Sequence, residues 1–172
     1  VIMIPAGTWN ESVVCTKDMV FLYGIGGLNA TYLQGNPALT VRPPDNTKKF
    51  NEFHAYGLFF IDTVSDANPA VLLDGSILRG TSLAFVGNEA LFTHCGFVGK
   101  GSYVLKADNA VAVSLQDSWS AGGGLELHEC SLFATYNELR GPIIIEFDPS
   151  TLPSSSQYGS EMIYCDMRDG GT

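Results

Sequence analysis

Positive charge is scarce in this chain. Nine Lys and Arg stand against eighteen Asp and Glu, a formal net charge of −9. That argues against a nucleic acid or an anionic membrane surface held by bulk electrostatics. Long apolar runs are missing too: no stretch approaches the ~20 residues of a membrane-spanning helix, so membrane insertion is not expected. No apolar period of 3.6 residues persists, which removes helical bundles and helical crossovers from consideration. There is no Cys-x-x-Cys, so a zinc site has no basis, and neither a metal nor a cofactor is expected. The Gly24-Ile-Gly-Gly27 run lacks a following helical pattern and a Lys-Ser pair. It reads as a turn, not a phosphate loop.

What the chain does have is a recurring apolar pattern. Its 172 residues are 45% hydrophobic and only 16% charged, enough for one domain with a sizeable core. Nineteen Gly and eight Pro punctuate short β-branched and aromatic runs, the composition of an all-β protein rich in turns. LFTHCGFVG from Leu91 is followed by LELHECSLFA from Leu125 and EMIYCDMRD from Glu161, and preceded by GLFFIDTVSD from Gly57. Cys95, Cys130 and Cys165 thereby recur every 35 residues, with Ile61 a further 34 residues upstream of Cys95. A near-constant interval means stacked units.

A second set of strands, residues 38–41, 70–73, 103–106 and 143–146, lies between the cysteine-phase ones. Pro37, Pro69 and Pro142 precede three of its members. A third set includes residues 83–86 and 111–115. The expected fold is all-β: a right-handed, single-stranded parallel β-helix with about 32–40 residues per rung. It spans 1–172 as a single domain, and its ends lie so close to strands that a fragment of a longer chain is expected. The polar stretches 43–49 and 151–159 read as loops off the coil. This register predicts inward stacks of Leu58, Phe92, Leu127 and Met162, of Ile61, Cys95, Cys130 and Cys165, and of Phe97, Leu132 and Met167. Cysteines pointing the same way from adjacent strands have poor disulfide geometry, so buried free thiols are expected.

Residues 1–26 (VIMIPAGTWNESVVCTKDMVFLYGIG) run strand, Pro-Ala-Gly-Thr, aromatic, Glu, Val-Val, turn, apolar strand, Gly. This resembles the opening rung of the pectin-lyase-like β-helix superfamily, in its pectinesterase-like and phage tailspike-like members. The resemblance implies the fold. It does not carry an activity, because this fold hosts lyases, esterases, hydrolases and inert structural proteins. In pectinesterases a Cys-x-Phe-x-Gly-Tyr-Gln-Asp-Thr segment supplies an oxyanion-stabilising Gln. The similar segments here, from Cys95 and from Cys130, have none. The segment after Cys165 lacks an Asp-Phe-Ile-Phe-Gly run. The Asn-Thr-Asp, Asp-Asp, Gly-His-Gly and Arg-Ile-Lys motifs of polygalacturonases are absent as well.

Outward positions remain as candidates. The assumed register places His94 beside Glu129 across one rung, a pairing capable of acid–base work. Glu126 and Glu129 could form a carboxylate pair of the glycosidase kind if they project to one surface. Trp119 and Tyr136 are the aromatics expected at turns, where rings stack sugars or fill an interface; Trp9, though also at a turn, is expected in the core. The leading expectation is a non-enzymatic structural or attachment β-helix of a virus or phage exterior: an appendage, spike or capsid decoration. It would be a homo-oligomer, trimer favoured, with a glycan as a possible ligand, on a virion exterior or extracellular surface. The alternatives are a carbohydrate-active enzyme (polysaccharide lyase, esterase or hydrolase) using His94, Glu126 and Glu129, and a secreted surface adhesin.

Overall fold

The computed structural model describes residues 1–17, 19–27, 29–42, 52–64, 66–74, 89–108, 112–146 and 161–168. Among them are twenty short strands and no helix. Three strands make one coil. The first coil is β1 (Ile2–Ile4), β2 (Gly7–Asn10) and β3 (Val13–Cys15); the second is β4 (Val20–Gly24), β5 (Thr31–Gly35) and β6 (Leu39–Val41). The third is β7 (Glu52–Tyr56), β8 (Phe59–Asp62) and β9 (Val71–Asp74); the fourth is β10 (Glu89–Thr93), β11 (Gly96–Val98) and β12 (Tyr103–Asp108). The fifth is β13 (Ala112–Gln116), β14 (Trp119–Ala121) and β15 (Gly124–His128); the sixth is β16 (Ser131–Thr135), β17 (Glu138–Arg140) and β18 (Ile143–Glu146). Strands β19 (Glu161–Ile163) and β20 (Asp166–Arg168) begin a seventh.

Every strand pairs in parallel with its counterpart one coil away. Sheet A stacks β1, β4, β7, β10, β13, β16 and β19; sheet B stacks β2, β5, β8, β11, β14, β17 and β20; sheet C stacks β3, β6, β9, β12, β15 and β18. This is a parallel β-helix. Side chains alternate between its interior and its surface, as β13 shows: Val113 and Leu115 are buried, while Gln116 is exposed.

The core is built from vertical columns. In sheet A, Leu22, Ala55, Phe92, Leu115 and Ala134 are successive register partners and all are buried. In sheet B, Leu33, Phe60, Phe97 and Ser120 form the matching column. In sheet C it is Leu39, Val71, Leu105, Leu125 and Ile143. Large rings meet where coils three and four join: Phe92 lies 5.8 Å from Phe53, 6.0 Å from Phe60 and 5.3 Å from Phe97 between centroids. Each ring fully buried there contributes about 2–3 kcal/mol of hydrophobic stabilisation.

The rung length departs from expectation. Ile2 pairs with Leu22, Leu22 with Ala55, Ala55 with Phe92, Phe92 with Leu115, Leu115 with Ala134 and Ala134 with Met162. Successive coils therefore take 20, 33, 37, 23, 19 and 28 residues. Only two fall in the 32–40 range. The predicted stacks fail accordingly. Phe92 and Met162 share a column, but Leu127 belongs to sheet C and Leu58 to the turn after β7. Leu132 pairs with Val113, not with Phe97. Of the second strand set, β6, β9, β12 and β18 do share one sheet, with β15 inserted between the last two. The expected segments 43–49, 83–86 and 151–159 lie outside the described residues.

One corner explains the false period. Between sheets A and B, each of coils three to seven turns on a single residue of positive φ: Gly57 (66°), His94 (52°), Asp117 (47°), Tyr136 (56°) and Tyr164 (53°). The next residue points inward: Leu58, Cys95, Ser118, Asn137 and Cys165. Glu129 also has positive φ, 55°, and is followed by inward Cys130, but at the corner from sheet C to sheet A. The same turn chemistry thus serves two corners of the coil. Aligning the three cysteines merged them.

Candidate functional site

The inward residues of the A–B corner tie each coil to the one before. Cys95 Sγ lies 3.5 Å from Ala55 O, Ser118 Oγ 3.4 Å from Phe92 O, Asn137 Nδ2 3.0 Å from Leu115 O and Cys165 Sγ 3.4 Å from Ala134 O. Cys130 does the same at its own corner, 3.5 Å from Ala107 O. All four cysteines are free thiols, and Cys15, Cys95 and Cys130 are buried. Burial pushes the Cys95 thiol up to about 12, against the smaller opposing effect of the backbone at Leu58, Gly57 and Thr93. Such a thiol is structural and unreactive.

The backbone at this corner reaches in both directions. The N–H groups of His94, Asp117 and Tyr136 donate to Gln116 O, Thr135 O and Ile163 O of the following coil. Those of Gly96, Trp119, Glu138 and Asp166 donate to Leu58 O, Cys95 O, Ser118 O and Asn137 O of the preceding coil. The αL residues are therefore held rigidly with their side chains outward, which is what a surface site needs.

Those outward side chains, together with the last outward residues of sheet A before the turn, form an aromatic and polar strip. Tyr23 and Tyr56, at the end of sheet A, are stacked with centroids 4.9 Å apart and planes 3° from parallel. Tyr56 meets the His94 ring edge-on at 5.2 Å. His94 Nδ1 is 2.7 Å from Asp117 Oδ2. Tyr136 and Tyr164 are stacked at 5.2 Å and 3°, and are 59% and 77% exposed. Two residues further along each turn, sheet B begins with its own outer row. Tyr32 lies 5.3 Å from Phe59, and Phe59 lies 5.1 Å from Trp119. Phe59 and Trp119 are two coils apart. They meet because Gly96 lies between them: a Cβ there would sit 2.4 Å from Phe59 Cε1.

A second polar group occupies the outer face of sheet C. Glu126 carries a contact of 2.5 Å to Lys106 Nζ and one of 3.7 Å to His128 Nε2. His128 Nδ1 is 3.2 Å from Glu146. Lys106 also lies 5.1 Å from the centre of the Tyr103 ring, a cation–π contact. Among the described residues no three His, Cys, Asp or Glu side chains are placed to hold a metal ion.

The structure separates the residues that the sequence put together. His94 is at the A–B corner, Glu126 on sheet C and Glu129 at the C–A corner, so the expected His94–Glu129 pair does not form across one rung. The partner of His94 is Asp117, whose position in the coil was hidden by the wrong period. Tyr136 is at an exposed turn as expected. Trp119 is in strand β14 and half-buried, not in a turn. Trp9 pairs in register with core residue Leu33 yet is 39% exposed, not buried as expected. Sequence reasoning did not single out Tyr23 and Tyr56; their juxtaposition follows only from the 33-residue register.

The chain was compared with models of known protein families, with curated proteins and with solved structures, and it matches none of them.

Proposed function

We propose that this chain is a structural or attachment β-helix of a virus or phage exterior, of the pectin-lyase-like kind, that contacts its target through the A–B corner. The observation that carries this reading is the row of tyrosine pairs along a rigid edge: Tyr23 and Tyr56 at the end of sheet A, exposed Tyr136 and Tyr164 at the corner beside it, with His94–Asp117 between the two pairs. Aromatic rings held on a stiff scaffold offer large contact area at low entropic cost. The net charge of −9 favours solubility. Assembly as a homotrimer is part of the proposal. It is supported by half-buried Tyr32 and Trp119, which flank the buried ring of Phe59, with half-buried Ile61 and Val98 in the neighbouring outward column.

A carbohydrate-active enzyme is the second reading. It is favoured by His94, whose Nδ1 is oriented by Asp117 as a general base would be. One experiment separates the two. Labelled chain is incubated with neutral and acidic polysaccharides and with bacterial envelopes. Retention and release of reducing ends are followed in the same samples. Attachment expects retention without release. Turnover that disappears in His94→Asn or Glu126→Gln would overturn it in favour of the enzyme. Light scattering of the same preparation reads the assembly state, where a stable monomer would remove the trimer.

A further inference from the structure

Resting on the attachment reading, we propose that the A–B corner binds an extended, uncharged oligosaccharide lying parallel to the coil axis. The two tyrosine stacks are the first reason. Their centroids are 4.9 and 5.2 Å apart with planes only 3° from parallel. Rings in contact are separated by about 3.5 Å along their normal, so each pair is offset, and Tyr23, Tyr136 and Tyr164 are 39%, 59% and 77% exposed. An open aromatic face fits the C–H face of a pyranose.

Length is the second reason. Tyr56 belongs to the third coil and Tyr136 to the sixth. At ~4.8 Å per coil, roughly 14 Å separates the pairs. A single sugar cannot touch both, but a linear chain can. Between them lie His94 and Asp117, side chains 37% and 60% exposed. Together they offer both donors and acceptors to the hydroxyls of such a chain.

Charge is the third. The protein carries −9 overall, which repels an acidic polysaccharide. In the corner column the one carboxylate, Asp117, is already paired with His94, so a polycation gains little there. Glu138, on the adjacent row, pairs with Arg140 at 2.8 Å. A second copy of the chain is a poorer fit. From the third coil to the seventh the corner reads Gly57, His94, Asp117, Tyr136, Tyr164 and the row before it Tyr56, Thr93, Gln116, Thr135, Ile163, with one aliphatic residue where the centre of a protein interface is filled by several.

The test is calorimetric titration of the whole chain with cellohexaose, maltohexaose and chitohexaose, with hexagalacturonate as the charged comparison. At least one neutral hexasaccharide should bind about tenfold or more tighter than its own disaccharide. Tyr136→Asn and Tyr164→Asn should each weaken it about tenfold, the worth of one ring stack. Asn tolerates positive φ, so these variants keep the turn. Tyr136→Phe should retain binding within about threefold. Stronger binding of hexagalacturonate would overturn the proposal. So would unchanged affinity in both Asn variants, or variants that alter only the solution mass, which would make the corner an interface between copies. If no neutral hexasaccharide binds at millimolar concentration while the chain is still retained on envelopes, the ligand class is wrong and the attachment reading stands. If retention also fails, both fall.

Discussion

His94 and Asp117 occupy the same corner position of successive coils, both with left-handed backbone, and their side chains meet at 2.7 Å. The contact is exposed, so its energetic worth is at most about 1 kcal/mol. The backbone matters more. Asp117→Asn keeps a residue type that accepts positive φ and is expected to change stability by less than about 1 kcal/mol. Asp117→Val places a β-branched residue at φ 47° and is expected to cost about 1–3 kcal/mol. Urea midpoints compare them; equal midpoints would mean that the corner does not constrain its backbone.

Asn137 is a buried tie between coils five and six. Its Oδ1 accepts from Ser118 N at 2.9 Å and its Nδ2 donates to Leu115 O at 3.0 Å. Asn137→Leu strands both backbone groups in the core. The expected loss is about 2–4 kcal/mol, read by denaturant unfolding. A loss near zero would show that water or a shifted backbone replaces the amide.

Cys95 makes stability fall at alkaline pH. Its pKa is raised when folded, from 9.0 to about 12, so the folded state holds its proton where the unfolded state has lost it. The contribution is complete below pH 9 and is lost as pH rises towards 12, at roughly 1 kcal/mol per pH unit. Cys95→Ala should flatten that slope while costing about 1–2 kcal/mol at neutral pH from lost packing. Thiol labelling of the native protein should reach Cys165, the least buried cysteine, before Cys95. Rapid labelling of Cys95 would contradict its burial.

Gly96→Ala tests the aromatic row on sheet B. The added methyl would stand 2.4 and 2.6 Å from two Phe59 ring carbons, and the ring is itself buried. Separation of Phe59 from Trp119 should shift the Trp119 emission, with a loss of about 1–3 kcal/mol. Unchanged emission would mean that the contact does not depend on the missing side chain.

The architecture was legible in the sequence because strands facing the core repeat their apolar pattern from coil to coil, as β6, β9, β12 and β18 do. The period was not legible. Cys95 and Cys165 do share a corner, but three coils apart, with Ser118 and Asn137 between them. Those two do the same hydrogen-bonding work as the cysteines with different chemistry, so residue identity hid the repeat. Cys130 shares the turn but not the corner. The His94–Asp117 pair follows only once Phe92 is placed on Leu115. The 35-residue alignment forbids that step.

The two-way hydrogen bonding at the A–B corner also has a mechanical consequence. Each turn donates backbone N–H groups both forward and back, while its inward side chain grips the coil behind. Pulled along its axis, the rod cannot release a middle coil without breaking ties on both sides. Load applied along the axis is therefore shared among successive corners, and His94, Asp117 and Tyr136 keep their spacing under it.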